Sequence, residues 1–556
     1  MNDELELNRS IQFPDLNQKR EVAMANKEST ASNTGFSPVR SCCSGNHGKM
    51  PVGHDQEPGG VTRREFLQVA GTSALGAVVL PGLSWSALAS LQMEDSFEIR
   101  RRPLVVQPVL THEVPLRREQ TSWRNWGGLE TEEDADREVV RIRGELDALR
   151  SAADFPVDFL PVEKVKAVGD LDSVGGLQRA DLIVVYAAGG GSGIFDALLG
   201  MGKDMMFFCR HKSGPVYLWC EIISPRYLRR HTDEHSIPGI GFNDVVIDSY
   251  DEMLWRLRSL CGLKNTLNTD IIAIGGAAAW SQPADVIGKH VSEKYRFNIH
   301  EFSYDDLGKL IIEAMADEAT VSRARRKAAD YLRDSGVSLE TNREFVDNCF
   351  VLEDVFKRLM EKFNCRAITI NHCMGTIMPL SGTAACLTLG LLNDAGYLAF
   401  CESDFVVVPA GILMANISGK PVFFCNPTYP HGGIKTISHC TAPRRMDGKN
   451  LEPARILTHF ESDYGAAPKV EMRIGQKITN IIPDFSFKRY IGLPGRILEN
   501  PFMPICRTQI NISYDCDDLL LAEKMPGFHW ITVYGDYLKE SEYALKKIGI
   551  EQENLV

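Results

Sequence analysis

The segment YLAFCESDFVVV, residues 397–408, is the most informative part of the chain because it places two acidic residues inside a run that is otherwise apolar. Residues 397–401 have the composition of a central strand, and a second apolar block begins at Phe405. An ionised carboxylate in such surroundings is normally retained only when it is paired with a cation or bound to a metal. Glu402 and Asp404 therefore indicate either a strand-end salt bridge or a functional site.

Apolar strands alternate with helical segments between residues 91 and 405. A strand predicted at 182–186 belongs to a first unit, residues 91–264, and one at 367–372 belongs to a second unit, residues 265–405. A charged helix is predicted over 305–333. Strands separated by helices are typical of parallel sheets that are covered on both faces. We therefore predict two Rossmann-like α/β domains.

The last region, residues 406–556, has a different pattern. Strand-like pieces such as 421–424, 470–474 and 477–482 are interrupted by Gly, Pro and Asn, which predicts a β-rich, barrel-type domain. The region also holds most of the histidines that attract attention, namely His431, His439, His459 and His529. One histidine alone is more often structural than a ligand. Four of them near acidic residues favour a binding site.

Composition bounds the class of protein. The chain has 556 residues, of which 44% are hydrophobic and 24% charged, and this is typical of a globular protein of about three domains. The net charge of −12 argues against nucleic acid as a partner, because phosphate binding needs clustered Lys and Arg. The cysteines lack paired spacing, so we interpret them as buried thiols rather than a disulfide framework or an all-cysteine zinc site.

Residues 1–90 are predicted to be a polar leader followed by an export signal. Arg63 and Arg64 precede an apolar stretch at 69–80 and the small-residue pattern Ala-Leu-Ala at 87–89. This order is typical of a Tat signal, so we expect the Tat translocation machinery as a partner and a periplasmic or other extracytoplasmic location. The mature protein would begin near Ser90. The alternative is an amphipathic N-terminal helix with a chance arginine pair.

Three short motifs in a fixed order carry a resemblance. Cys-Glu-Ser-Asp at 401–404, His-Cys-Thr-Ala-Pro at 439–443 and Pro-Gly-Phe-His-Trp at 526–530 together resemble the L-fucose isomerase and L-arabinose isomerase superfamily. In that family a Cys-Glu-Gly-Asp-like strand end, a His-Cys turn and a C-terminal histidine recur in this order. The similarity covers roughly residues 170–540. It implies two Rossmann-like domains, a barrel-type C-terminal domain and a site at their junction.

The resemblance also implies a function. It predicts a divalent metal, typically Mn²⁺, and the interconversion of aldose and ketose forms of a monosaccharide, in a homo-oligomer. By position, Asp404 and His529 would be metal ligands, and Glu402 would be a catalytic carboxylate that also contacts the metal. Such a base would move the proton on the second carbon of the sugar through an ene-diol. Independently of the resemblance, three histidines are predicted to bind substrate: His431, His439 and His459. The alternatives are a turn-stabilising role for His431 and a bulged surface hairpin around His459.

One departure from the family pattern leaves alternatives open. The family usually has a second catalytic carboxylate just after the preceding strand, but residues 371–379 contain no acid. His372 could replace it as a base, or it could be an ordinary hydrogen-bonded histidine. The chain could accordingly be an isomerase, a carbohydrate-binding protein without turnover, or another metal-assisted carbohydrate enzyme such as an epimerase or lyase.

Overall fold

The computed structural model describes residues 84–91, 97–124, 126–127, 129–279 and 283–556. The chain divides into two units, Met1–Leu75 and Gly76–Val556, and every described residue belongs to the second. The arginine pair of the predicted export signal lies outside the described residues. The α-helices are, in chain order, α1 Trp85–Ala89, α2 Glu132–Ala152, α3 Ser192–Leu199, α4 Leu218–Ile222, α5 Tyr250–Thr266, α6 Ala284–Lys294, α7 Tyr304–Ala316, α8 Glu318–Arg333, α9 Arg343–Lys362, α10 Cys373–Ser381, α11 Ala385–Asp394, α12 Val408–Ser418, α13 Asp518–Lys524 and α14 Leu538–Lys547.

The first sheet is parallel and is buried on both faces. Side chains of one central strand alternate between two cores: Leu182, Val184 and Tyr186 pack on one side, and Ile183 and Val185 on the other. This continuous apolar run is what a parallel strand covered on both faces requires. The strand order is β2-β1-β4-β5-β6, with β3 paired to β1. The strands are β1 Leu104–Thr111, β2 Val157–Phe159, β3 Glu163–Val165, β4 Leu182–Ala187, β5 Asp204–Cys209 and β6 Val245–Ile247.

The second sheet is also parallel, with the order β11-β10-β7-β8. Its strands are β7 Asp270–Ile274, β8 Asn298–Phe302, β10 Ala367–Ile370 and β11 Leu398–Cys401. Ile370 of β10 is paired with Cys401 of β11, so the two strands end level with each other. Whatever follows these strands must therefore emerge at one edge of the sheet, which is where open α/β sheets usually bind ligands.

The C-terminal domain is a closed β-barrel. Six antiparallel strands pair in the ring β16-β19-β12-β13-β18-β17, which closes because β17 pairs back to β16, and β20 adds to β17 in parallel. The strands are β12 Phe423–Pro427, β13 Ile434–His439, β16 Lys477–Ile482, β17 Arg489–Glu499, β18 Thr508–Ser513, β19 Trp530–Tyr534 and β20 Glu551–Asn554. The predicted fold class, an α/β chain with parallel sheets and a C-terminal β-barrel, is confirmed.

A small three-stranded sheet completes the fold and corrects two local predictions. It has the order β15-β14-β9, formed by β9 Val337–Leu339, β14 Ala454–His459 and β15 Tyr464–Val470. The prediction of a strand over 470–474 is wrong, since β15 ends where that strand should begin. The prediction of one helix over 305–333 is also wrong, because Asp317 ends α7 and its side chain caps the first turn of α8.

Two further properties concern helices and cysteines. Among the described residues no single helix has the length and apolar composition needed to cross a membrane, although α10 and α11 meet those criteria when taken together as a pair bent by 90°. The twelve cysteines that the structure describes are all free thiols.

Candidate active site

The site begins with an unusual backbone turn at the end of β11. Glu402 and Ser403 both have positive φ angles, 63° and 46°. Two successive non-glycine residues in the left-handed region are strained by about 1–3 kcal/mol each, and such strain clusters at functional sites. The turn is held by the segment that follows β7, because Ala278 N–H donates to Ser403 O at 3.1 Å and Phe405 N–H donates to Ala278 O at 3.0 Å.

The turn directs the Glu402 carboxylate between two imidazole rings of the barrel. Glu402 Oε2 lies 3.2 Å from His529 Nε2, and Glu402 Oε1 lies 3.8 Å from His439 Nε2. His439 ends β13, and His529 immediately precedes β19. Both imidazoles are buried, whereas 24% of the Glu402 side chain is exposed. The carboxylate is thus the solvent-facing member of a group that joins the second sheet to the barrel.

Asp404 fixes the orientation of His529. Asp404 Oδ2 accepts a hydrogen bond from His529 Nδ1 at 2.7 Å, and both side chains are buried. Burial by itself lowers the pKa of His529, but the bond to Asp404 and the nearby Glu402 carboxylate outweigh it and raise this pKa to about 9. With Nδ1 committed to Asp404, Nε2 is the nitrogen that faces Glu402.

His439 has the opposite electrostatic character. Burial lowers its pKa, and the Glu402 carboxylate only partly offsets this. Its Nδ1 is 2.9 Å from the Thr441 hydroxyl, which leaves Nε2 directed toward Glu402. The Phe424 ring packs against both imidazoles, with centroid distances of 5.1 Å to His439 and 4.4 Å to His529. A neutral imidazole against an apolar wall is the form in which histidine binds a metal.

Thiol groups surround one side of this group. Cys401 Sγ lies 3.7 Å from the Sγ atom of Cys373, which is the first residue of α10. One potential ligand atom each from Cys401, Glu402 and His439 lies within 4.8 Å of the others, so these three residues could approach a single ion. The neighbouring Cys373 thiol and then burial raise the pKa of Cys401 well above its usual value. Cys401 is therefore a neutral thiol at neutral pH.

His459 belongs to a second, sulfur-rich group next to the first. Its Nδ1 is 3.1 Å from the Ser462 hydroxyl. Burial lowers the pKa of His459, but interaction with Cys440 outweighs it and raises this pKa. The thiol of Cys386, and then Cys506 and His459, hold the pKa of Cys440 well below its usual value. Because Cys440 follows His439 directly, the two groups share the end of β13.

The remaining predicted residues are placed differently. His431 is exposed and lies before the start of β13, whereas His439 is at its end, so the length of the strand, roughly 17 Å at 3.3 Å per residue, separates them. His431 is therefore apart from the other three histidines. His372 is exposed and follows β10, with φ 50°, at the same sheet edge as Glu402.

Sequence reasoning missed three features of the site. The roles of Phe424 and of the thiols of Cys386 and Cys506 depend on contacts between distant segments, which leave no local signal. The left-handed turn did have a signal: the resembling family has glycine where this chain has Ser403. A buried carboxylate-imidazole pair, a second imidazole and a partly exposed carboxylate can bind a divalent cation or transfer protons.

Comparison with known proteins finds a similarity to one sugar isomerase. No family model matches the chain. Over 221 residues the chain is 27% identical to the sulfoquinovose isomerase of Clostridium sp. (strain MSTE9), an alignment that covers 36% of this chain and 48% of that protein. The chain thus spans about half the length of this curated relative. It is a distant relative of a sugar isomerase.

Proposed function

We propose that this chain is a sugar isomerase that interconverts the aldose and ketose forms of a monosaccharide with the help of a divalent cation. The observation that carries the proposal is the position of the Glu402 carboxylate, 3.2 Å from His529 Nε2 and 3.8 Å from His439 Nε2 at the edge of a parallel sheet. The similarity to a sulfoquinovose isomerase supports the reaction class.

The donor atoms fit a divalent cation. Metal-binding histidines commonly donate their second ring N–H to a carboxylate, and His529 does this toward Asp404. We therefore assign Glu402, His439 and His529 as the ligands and Asp404 as the group that orients His529. A direct bond from Asp404 to the cation, as the resemblance implies, is the alternative. Mn²⁺ is compatible with a carboxylate and imidazole donor set.

The chain's own residues supply the proton transfer. Glu402 is the base: it removes the proton from the second carbon of the aldose while the carbonyl oxygen on the first carbon gains a proton, which gives the ene-diol. The ene-diol then receives a proton at the first carbon while the hydroxyl on the second carbon loses its proton, so the ketose has the same atoms as the aldose. Phe424 and the buried imidazoles keep water from one side of the site. A bound cation would polarise the sugar carbonyl and the neighbouring hydroxyl. His459 is assigned to substrate binding.

Isotope exchange tests this proposal. Purified protein loaded with Mn²⁺ is incubated in heavy water with sulfoquinovose, L-fucose, L-arabinose and other aldoses, and deuterium at the second carbon and ketose formation are measured. We expect Glu402→Gln to lower the exchange rate by about 10²–10⁴-fold. His372→Gln is the matched control and should retain exchange. Loss of exchange in His372→Gln alone would transfer the role of base to His372.

A second candidate function follows from the absence of an acid in residues 371–379. A carbohydrate-binding protein on the same fold would bind one of these sugars in calorimetry without deuterium incorporation or ketose. An epimerase or lyase would incorporate deuterium but give a different product. The same incubation therefore separates all three functions by the product and by the isotope.

Location and assembly belong to the same proposal. We propose a Tat-exported, extracytoplasmic protein that forms a homo-oligomer. Fractionation of cells that express the full chain tests the first point, with replacement of the two arginines at 63 and 64 by lysine as the comparison. Light scattering of the purified protein tests the second.

A further inference from the structure

Residues 84–91, the first segment that the structure describes, are built into the folded domain. They form the short helix α1, which packs against α7 and α9. Trp85 is 3% exposed and Leu88 is 2% exposed, and both belong to the same core as the inward face of α9. A helix of five residues is not stable by itself in water. Its conformation therefore depends on the surface beneath it.

Two carboxylates hold the beginning of this helix. The backbone N–H of Trp85 donates to Glu313 Oε2 at 2.6 Å, and the Trp85 indole N–H donates to Asp317 Oδ2 at 3.3 Å. The first N–H groups of a helix lack partners within the helix and favour negative charge. Glu313 and Asp317 belong to the end of α7 and the junction with α8, so they are fixed by the domain and not by the segment.

One arginine holds the end of the helix. Arg358 Nη1 donates to three carbonyl oxygens, those of Leu88 at 3.0 Å, Ala89 at 2.9 Å and Leu91 at 3.0 Å. The Arg358 side chain is 7% exposed and is paired with Asp354 at 3.2 Å. A buried cation that satisfies three carbonyls at a helix C-terminus fixes the last turn of that helix to the domain.

This segment contains the predicted cleavage site of the export signal. Proteases cut exposed chain that can become extended. Here Leu88, between the two alanines of the Ala-Leu-Ala pattern, is buried, and the carbonyl of the Ala89–Ser90 bond accepts a hydrogen bond from Arg358. Because Tat substrates fold before they cross the membrane, the segment would be docked before a signal peptidase meets it.

We propose that Glu313, Asp317 and Arg358 form a docking groove for the chain's own residues 84–91, and that docking protects the Ala89–Ser90 bond so that the folded protein keeps the residues before it. The inference rests on the proposed Tat export and not on the proposed isomerase activity. The groove binds a short helical peptide with an indole at its beginning and free carbonyls at its end.

The test uses the full chain expressed in a host with a Tat pathway. The N-terminus of the purified protein is determined by mass spectrometry, and hydrogen exchange is measured for the amides of residues 85–91. The variants are Trp85→Ala, which changes only the segment, and Arg358→Gln, which removes the carbonyl contacts. Arg326→Gln, an exposed arginine of α8, is the matched control.

We expect the wild type and Arg326→Gln to retain residues 84–89 and to protect the amides of 88–91. Trp85→Ala and Arg358→Gln should exchange these amides on the order of tenfold faster or more, and should yield protein that begins at Ser90. A wild type that begins at Ser90 would overturn the proposal. If Trp85→Ala and Arg358→Gln both retain residues 84–89 and their amides exchange no faster than those of the wild type, the role of the groove is overturned. If Arg358→Gln fails to fold, Trp85→Ala still decides the question.

Discussion

Lys435 provides a quantitative test of the barrel interior. It is fully buried on β13, with Nζ 2.8 Å from Met525 Sδ and 4.4 Å from the centroid of the Trp530 ring. Among the residues that the structure describes, it forms no ion pair with a carboxylate. Burial lowers its pKa from 10.5 to about 7. We predict that Lys435→Met stabilises the protein, and that the gain depends on pH.

The sign and size of the effect follow from linkage. Between pH 7 and 10.5 the unfolded chain carries a proton on Lys435 that the folded chain does not, so the free energy of unfolding of the wild type rises with pH in this window. Below pH 7 the buried amine must be charged, and the full cost is about 5 kcal/mol at 1.36 kcal/mol per pKa unit. At pH 6.5 nearly all of this cost is present, and at pH 9.5 roughly 1.4 kcal/mol remains.

The measurement is urea unfolding of the wild type and Lys435→Met at pH 6.5 and 9.5. The packing energy of the lysine side chain is nearly independent of pH, so the informative quantity is the change in the stability gain between the two values, which we expect to be about 3 kcal/mol. Lys488→Met, which removes an exposed lysine of the same domain, is the control and should show no such change. A gain for Lys435→Met that is equal at both pH values would refute a neutral buried amine.

Three other predictions concern the site and the first domain. Ser403→Gly should raise the free energy of unfolding by about 1 kcal/mol in urea titrations, because it removes a left-handed serine and a buried hydroxyl that has no hydrogen-bond partner among the described residues. A loss of stability would contradict backbone strain at Ser403. Asp404→Asn should weaken Mn²⁺ binding by about 10–100-fold in calorimetry if the carboxylate orients His529, whereas complete loss would indicate a direct ligand. Arg210→Met should lower the free energy of unfolding by about 3–5 kcal/mol, because the buried Glu138 carboxylate then keeps only the Tyr217 hydroxyl and the more distant Arg141 guanidinium, 4.0 Å away, as partners. An unchanged melting temperature would exclude a tight Arg210–Glu138 pair.

The fold was predictable where one physical signal dominates. Strands such as β4 and β11 are continuous apolar runs, and only burial on both faces explains such composition. Boundaries failed where one side chain decides. Asp317 ends α7 and caps α8 by accepting a hydrogen bond from Ala319 N–H. Its carboxylate also accepts a hydrogen bond from the indole of Trp85, a residue more than two hundred positions away in the sequence. The helix propensities of residues 305–333 therefore could not predict that contact.

The candidate site was predictable in part for the same reason. Glu402 and Asp404 were conspicuous because their surroundings are apolar, and the order of motifs pointed to His529 and His439. The pairing of Asp404 with His529 was not predictable, since it joins residues 125 positions apart. His431 was proposed to bind substrate because its glycine-rich loop resembles a loop at a strand end. Because β13 separates His431 from His439, the sequence could not show that the two histidines lie at opposite ends of one strand. Substrate binding by His431 stays a prediction.

The contacts around Glu402 give a physical interpretation to the absence of an acid from residues 371–379. Where the resembling family has a carboxylate after the preceding strand, this chain has an exposed His372, and the next residue, Cys373, packs its sulfur on Cys401. The group around Glu402 thus contains the carboxylates of Glu402 and Asp404, two imidazoles and a nearby thiol, without the further carboxylate of the resembling family. Imidazole and sulfur favour transition metals, whereas Mg²⁺ prefers oxygen ligands. In the proposed cation site, the missing acid would therefore narrow the range of cations accepted, and Mn²⁺ lies at the oxygen-preferring end of that range.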